Sequence, residues 1–177
     1  MFVDHTIDSA PPAARRAMTA VAERLGYLPA AVGRLAESPA ALEGFLRMSG
    51  MFEATSLAPL ERETVIMTVS VRNQCAVCVA MHTATLVRLE ADDGLVAGLR
   101  TGAALAAPRL EALRRFTVDV LDTAGGVSDE QLNAFLGNGF SREQALEVVL
   151  GIGAYTLSTM ANRLTGAPVD EALTPGA

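Results

Sequence analysis

Apolar residues in this chain recur three and four positions apart, segment after segment, and each segment is bracketed by proline, glycine or a capping side chain. Sustained apolar–polar alternation is absent. The first spacing buries one stripe of a helix, whereas alternation would bury one face of a strand. The chain is therefore read as all-α, a multi-helix bundle. Pro11-Pro12 opens a helix through Ala13, Ala17, Val21 and Leu25 that stops at Gly26. A short helix spans 30–37, and Ser38-Pro39 opens another to about Ala54. Pro59 starts a helix carrying Leu60, Val65, Ile66, Val69 and Ser70 inward, which breaks near Asn73-Gln74. A further helix holds Cys75, Cys78 and His82, and Asp92-Asp93 cap a short one ending near Gly102. Pro108 begins the next, closed by Gly125-Gly126. Ser128 with Gln131, and Ser141 with Gln144, form two capping boxes, the second opening a helix toward Leu164. Residues 1–177 are taken as a single unit, with 1–10 and 168–177 irregular.

Half of the 177 residues are apolar, which can offset the entropy of ordering one protomer. Twenty acidic residues against fourteen basic ones give a net charge of −6 with no basic stripe, so neither nucleic acid nor a membrane surface is expected as a partner. The longest near-apolar stretch, 148–161, includes Thr and Ser and falls short of the roughly twenty residues a membrane span needs. The start of the chain lacks the basic and apolar regions of a secretory signal, and the expected compartment is the cytoplasm. There a close cysteine pair does redox or metal chemistry more often than it serves as a static staple.

That pair is Cys75-Ala76-Val77-Cys78, with His82 one turn beyond. On a helix the two sulfurs and the imidazole share a stripe. First-turn N–H groups favour negative charge and lower thiol pKa values. Helix position alone nominates Cys75 as the more acidic thiol; a partnership with His82 favours Cys78. One division of labour has Cys78 attack a peroxide oxygen and become a sulfenic acid, which Cys75 then resolves to a disulfide that a dithiol resets. Glu63 lies twelve positions before Cys75 on a helix that must fold back beside it. Buried, it would have a raised pKa and could shuttle protons; exposed, it would merely suit a helix N-terminus, and Glu61 competes for the role. Zinc on Cys75, Cys78, His82 and Glu63 is an alternative, although structural zinc sites draw ligands from separate segments. Covalent haem attachment would require His where Val79 stands, and a thioredoxin fold would require a sheet. The plainest reading is two buried cysteines with a satisfied core histidine.

At these residues the chain resembles the carboxymuconolactone decarboxylase superfamily, in its alkylhydroperoxidase D-like branch. The signature is Glu, eleven residues, Cys-x-x-Cys, three residues, His, met here by Glu63, Cys75, Cys78 and His82 with Asn73 before the first Cys. The likeness extends to Gly26-Tyr27-Leu28-Pro29, Ser38-Pro39, 57–63 and 162–170. The resemblance implies an all-helical homo-oligomer, a trimer or hexamer, that reduces hydrogen peroxide or organic hydroperoxides. It makes Cys78 peroxidatic, Cys75 resolving, His82 the adjacent histidine and Glu63 the proton-relay acid. It assigns no cofactor, and the reductant is a dithiol or a protein of unknown identity. Well-known members carry a second histidine between the cysteines; Val77 stands there, so the acid needs a water or another direct contact. A redox-sensing oligomer without turnover is the alternative reading of the same motif.

Shifting the chain by eighty positions aligns Arg62-Glu63 with Arg142-Glu143, Cys78 with Ser158 and His82 with Asn162, as duplication or shared helical patterning would. The remaining marked residues read as structural. Met48, Met51, Met67, Met81 and Met160 fill the core, Tyr155 is a core aromatic, and His5 belongs to a mobile terminus. Arg114-Arg115 is a solvated face, and the Ala-rich run 103–107 permits close helix approach.

Overall fold

Pro59 at the first helical position and Asn73 just past the last residue delimit α4, Pro59–Arg72, the helix around which the others assemble. The computed structural model describes residues 2–173. Everything on α4 from Glu63 to Ser70 is buried, including three hydroxyl residues. Burial would strand those hydroxyls, and each instead donates to a carbonyl one turn back: Thr64 to Leu60, Thr68 to Thr64 and Ser70 to Ile66, at 2.7–2.8 Å.

In chain order α1 is Pro12–Leu25, α2 Ala30–Leu35, α3 Pro39–Glu53, α5 Ala76–Arg88, α6 Asp93–Thr101, α7 Pro108–Asp122, α8 Asp129–Gly137 and α9 Arg142–Thr165. Among the described residues there is no strand, and the all-α expectation holds. Both capping boxes form, with Ser128 and Gln131 at 2.8 and 3.2 Å and Ser141 and Gln144 at 3.0 and 3.1 Å. Helix α4 packs against α5, α6, α7 and α9, while α9 also packs along α3. The main core joins α3, α4, α7, α8 and α9 through Phe52, Val65, Val69, Leu113, Phe135 and Val148. Met18, Val21, Leu35 and Leu42 make a second cluster under α1–α3, and Met67, Leu86 and Leu99 a third under α4–α6.

Some structural expectations are corrected. Residues 2–10 are non-helical as read, but they are pinned rather than loose: Asp4 pairs with Arg34, and His5 Nε2 lies 2.8 Å from Glu37. A 3-10 turn at Glu171–Leu173 interrupts the expected irregular tail, whose last residues, 174–177, lie outside the described ones. Met51 and Met160 are exposed, because α3 and α9 each turn only one face to the core. Arg114 is mostly covered by its pairing with Glu111 at 2.8 Å, and only Arg115 of that pair faces solvent. Arg114 holds the Glu111 carboxyl below its ordinary pKa, burial opposes this, and the Leu105 N–H assists it. The 103–107 run is the loop between α6 and α7, with Leu105 alone buried in it.

Candidate active site

The turn between α4 and α5 is tight enough to lay the two helices side by side. Gln74 takes a left-handed conformation (φ 54°), and the Cys75 N–H reaches back to the Ser70 carbonyl at 3.0 Å. That is a helix-ending geometry normally given to glycine. Helix α5 then begins at once. Cys75 is its N-cap, its sulfur accepting the Cys78 N–H at 3.3 Å, in the position a serine or aspartate oxygen usually fills. Cys75 and Cys78 are joined by a disulfide, with their Cα atoms 5.3 Å apart.

Folding α5 back along α4 carries His82 to Glu63. His82 Nδ1 lies 2.8 Å from Glu63 Oε2, so the Nδ1–H donates to the carboxylate and Nε2 is the ring nitrogen left for other work. Glu63 is 7% exposed. Glu61, two residues away, points off the opposite side. One of its oxygens accepts the Ala58 N–H at 2.9 Å and the other the Arg109 Nε–H at 2.6 Å. Of the two acids left open by the sequence, Glu63 therefore faces the site and Glu61 caps α4. The pattern that separates them was present in the sequence: an acid three residues after Ala58 sits at N3, where it reaches the N-cap N–H.

The His82 ring also meets Tyr155 of α9 edge to face, with centroids 5.3 Å apart. Tyr155 is buried, and its hydroxyl is 3.3 Å from Ser49 Oγ. Burial pushes the Tyr155 phenol up to about 12; the Ser49 hydrogen bond opposes this and the negative charge of Glu63 adds to it. Ser49, Tyr155, Glu63 and His82 line a cavity of about 500 Å3 whose apolar wall includes Val21, Phe45, Phe52 and Ile66. Arg24, Arg62 and Arg88 also line it. Tyr155 is thus both a core aromatic and a wall of this cavity.

The sulfurs lie outside that lining. Cys75 and Cys78 are 1% and 3% exposed and form a small buried cluster with Val77, against which Met81 and Ala167 pack. Met81 touches this cluster and also lines the cavity, so it stands between the two. No hydrogen bond links His82 to either sulfur among the described residues; the imidazole is engaged by Glu63 instead. The sulfurs and the imidazole, expected together on one stripe, thus face separate surroundings in the disulfide form. Nor do the four side chains converge as a zinc set, since the sulfurs are bonded to each other and Glu63 to His82.

What approaches the sulfurs is Asn162 of α9, whose side-chain Nδ2 is 3.3 Å from Cys78 Sγ and 4.0 Å from Cys75 Sγ. In the sequence Asn162 stood out as the residue opposite His82 in the eighty-position alignment and as the start of the family-like stretch 162–170, with no role at the sulfurs. A stronger signal was available: it ends the buried stripe Val148, Gly151, Tyr155, Ser158, Asn162, as an amide where apolar packing would suffice. Asn73 ties α9 to the cysteine turn, its Nδ2 donating to Thr159 Oγ1 at 2.8 Å and its carbonyl accepting from Arg163 at 2.9 Å.

Residues 39–119 match the model of the Carboxymuconolactone decarboxylase family. No curated protein sequence matches the chain. Among solved structures, the alkylhydroperoxidase AhpD core of an uncharacterized peroxidase-related protein from Ralstonia eutropha JMP134 aligns with a TM-score of 0.85 at 22% identity, over 97% of this chain and 93% of that one. An uncharacterized peroxidase-related protein from Silicibacter sp. TM1040 aligns at 0.80 and 20% identity, over 97% and 92%. The debrominase Bmp8 aligns at 0.75 and 15% identity, over 98% and 94%. At these identities the structures speak to the fold, and the fold they share hosts more than one chemistry. The segment 39–119 that matches the Carboxymuconolactone decarboxylase family model carries Glu63, Cys75, Cys78 and His82, on a chain with the fold of the AhpD-like proteins.

Proposed function

We propose that the chain is a thiol-dependent peroxidase that reduces hydrogen peroxide or small organic hydroperoxides by cycling Cys75 and Cys78 between dithiol and disulfide. The observation that carries this reading is a disulfide capping α5 with partly buried His82 one turn beyond Cys78, bonded to buried Glu63. Two proteins of similar fold are described as peroxidase-related, which is consistent with it.

In the forward step the Cys78 thiolate attacks one peroxide oxygen. An S–O bond forms, the O–O bond breaks, and the departing alkoxide or hydroxide takes a proton, leaving an alcohol or water. The protonated Glu63–His82 pair supplies that proton; His82 Nε2 faces away from the carboxylate and can deliver it directly or through one water. Cys75 then attacks the Cys78 sulfenic sulfur; the S–S bond forms, the S–O bond breaks, and hydroxide leaves as water after taking the Cys75 thiol proton. An external dithiol restores the pair by exchange, losing two electrons and becoming a disulfide itself. Because both sulfurs are buried behind Met81, each half-cycle requires that side chain to move. The protein is also read as a homo-oligomer.

Replacing Cys78 by Ser should abolish peroxide-dependent oxidation. The check is mass spectrometry of the reduced protein after one equivalent of peroxide, which in the native chain finds a 75–78 link and a loss of two hydrogens. Turnover unchanged in Cys78→Ser ends the proposal. The burial of the disulfide favours one competitor, a redox sensor that reacts once. Sustained peroxide consumption with excess dithiothreitol supports the enzyme, and arrest after one equivalent per chain supports the sensor.

A further inference from the structure

We propose that Asn162 is a catalytic residue: its side-chain amide donates a hydrogen bond that holds the Cys78 sulfur as a thiolate in the reduced protein. The proposal rests on the peroxidase reading for its purpose, because that reading makes the Cys78 thiolate the attacking group. Its geometry stands independently.

Asn162 Nδ2 is 3.3 Å from Cys78 Sγ, the nearest of its polar contacts to either sulfur, and the second approach, to Cys75 Sγ, is 4.0 Å. The side chain is 7% exposed, so water does not compete for its N–H groups as it would at a surface. A sulfur in a disulfide is a weak acceptor, and a buried amide aimed at one is under-used. A thiolate is a strong acceptor, and a charge-assisted bond to it is roughly twice as strong as a neutral one. The arrangement therefore favours the reduced, ionised Cys78 over both the thiol and the disulfide.

The two sulfurs have separate supports. Cys75 accepts the Cys78 backbone N–H at 3.3 Å, a donor that any residue at position 78 would supply. Cys78 has the amide of a residue 84 positions away. Holding that amide in place takes further contacts: the Ala167 N–H bonds the Asn162 carbonyl at 2.9 Å, and the Asn73 clamp on Thr159 and Arg163 fixes the register of α9 against the cysteine turn. His82, the partner that the sequence suggested for Cys78, is committed to Glu63 at 2.8 Å. Asn162 thus fills the role left vacant at that sulfur.

The test reads ionisation rather than turnover. The pH dependence of alkylation by iodoacetamide is followed separately at Cys75 and Cys78 by peptide mass spectrometry, in reduced native protein and in two variants of similar side-chain shape, Asn162→Leu and Asn162→Asp. The midpoint reports the thiolate, whereas the plateau rate reports access. Asn162→Leu should raise the Cys78 midpoint by about one pH unit, a tenfold loss of thiolate below it, and move Cys75 by less than half as much. Asn162→Asp should raise it further, by placing a carboxylate beside the sulfur. In a glutathione redox buffer the disulfide of Asn162→Leu should be about tenfold harder to reduce, because the reduced state has lost its donor. A Cys78 midpoint that stays put in both variants overturns the proposal, as does an equal shift at both cysteines, which is what a merely structural role would give. If the variants show the shift while the native protein consumes no peroxide, the amide's role stands and the peroxidase reading falls.

Discussion

Tyr155 shows how a single hydroxyl ties the cavity to stability. Its phenol is pushed up to about 12 from 10.0, chiefly by burial, with the Glu63 charge adding to the effect. Ionisation is therefore easier in the unfolded chain. The stability associated with the neutral phenol is fully present below pH 10 and is lost as the pH rises from 10 through about 12, by about 3 kcal/mol. Tyr155→Phe should unfold less steeply over that window in urea titrations. At pH 7 it should be about 1 kcal/mol less stable than the native chain, because buried Ser49 loses its partner. A parallel fall of both proteins from pH 10 to 12 would contradict the assignment. At this scale the sequence marked the two sulfurs and the imidazole but not their neighbours. Cys75, Cys78 and His82 lie within eight residues and share a helix, so spacing alone places them. Asn162 and Tyr155 reach the same site from a helix seventy to ninety residues later, and no local pattern encodes which turn of α9 meets which turn of α5. The expectation that His82 serves Cys78 misled because a helical stripe brings side chains near one another without saying which partner wins, and a buried carboxylate at 2.8 Å outcompetes a sulfur.

Helix boundaries were the most legible features, since proline cannot be accommodated inside a helix and the capping residues satisfy N–H groups that would otherwise be bare. Which face of each helix is buried was less so, and α9 shows why: nearly every residue from Val148 to Ala161 is apolar or small, so periodicity fades. Two glycines in that stretch decide the packing. A methyl built on Gly151 would lie 2.6 Å from the Phe52 ring, and Phe52 is fully buried with nowhere to retreat. A methyl on Gly153 meets only the end of Met48, at 3.2 Å, a flexible side chain that can yield. Alanine raises helix propensity at both sites by up to ~1 kcal/mol. Gly151→Ala should nonetheless destabilise by about 1–3 kcal/mol through overpacking, whereas Gly153→Ala should be neutral or stabilising by up to ~1 kcal/mol. Urea midpoints of the two variants give the comparison; equal effects would mean that α3 and α9 are not held in contact by the Phe52–Gly151 fit.

For the whole molecule the question is what covers the outer side of α9. Leu146, Val149, Met160 and Leu164 are 72%, 47%, 61% and 75% exposed, and with exposed Gly153 and half-buried Leu157 they recur at three- and four-residue intervals along one side of the helix. A continuous apolar stripe of this kind marks a contact surface more often than a solvated face. The occupant we propose is a second copy of the chain. Each copy carries −6, so copies repel one another except where charge is sparse, and the stripe is such a place. Two charged residues that flank it on α9 are engaged elsewhere, Glu147 with Ser56 at 2.8 Å and Arg163 with the Asn73 carbonyl. Light scattering should then give the native protein a mass that is a multiple of 18.5 kDa, as a trimer or hexamer would. Met160→Glu with Leu164→Glu should return it to 18.5 kDa with helical content unchanged, because neither side chain contributes to the core and buried like charges across a symmetric contact repel. A native protein that already sediments as a monomer at tens of micromolar, or a double variant that keeps the native mass, would show that the stripe is not what joins the copies.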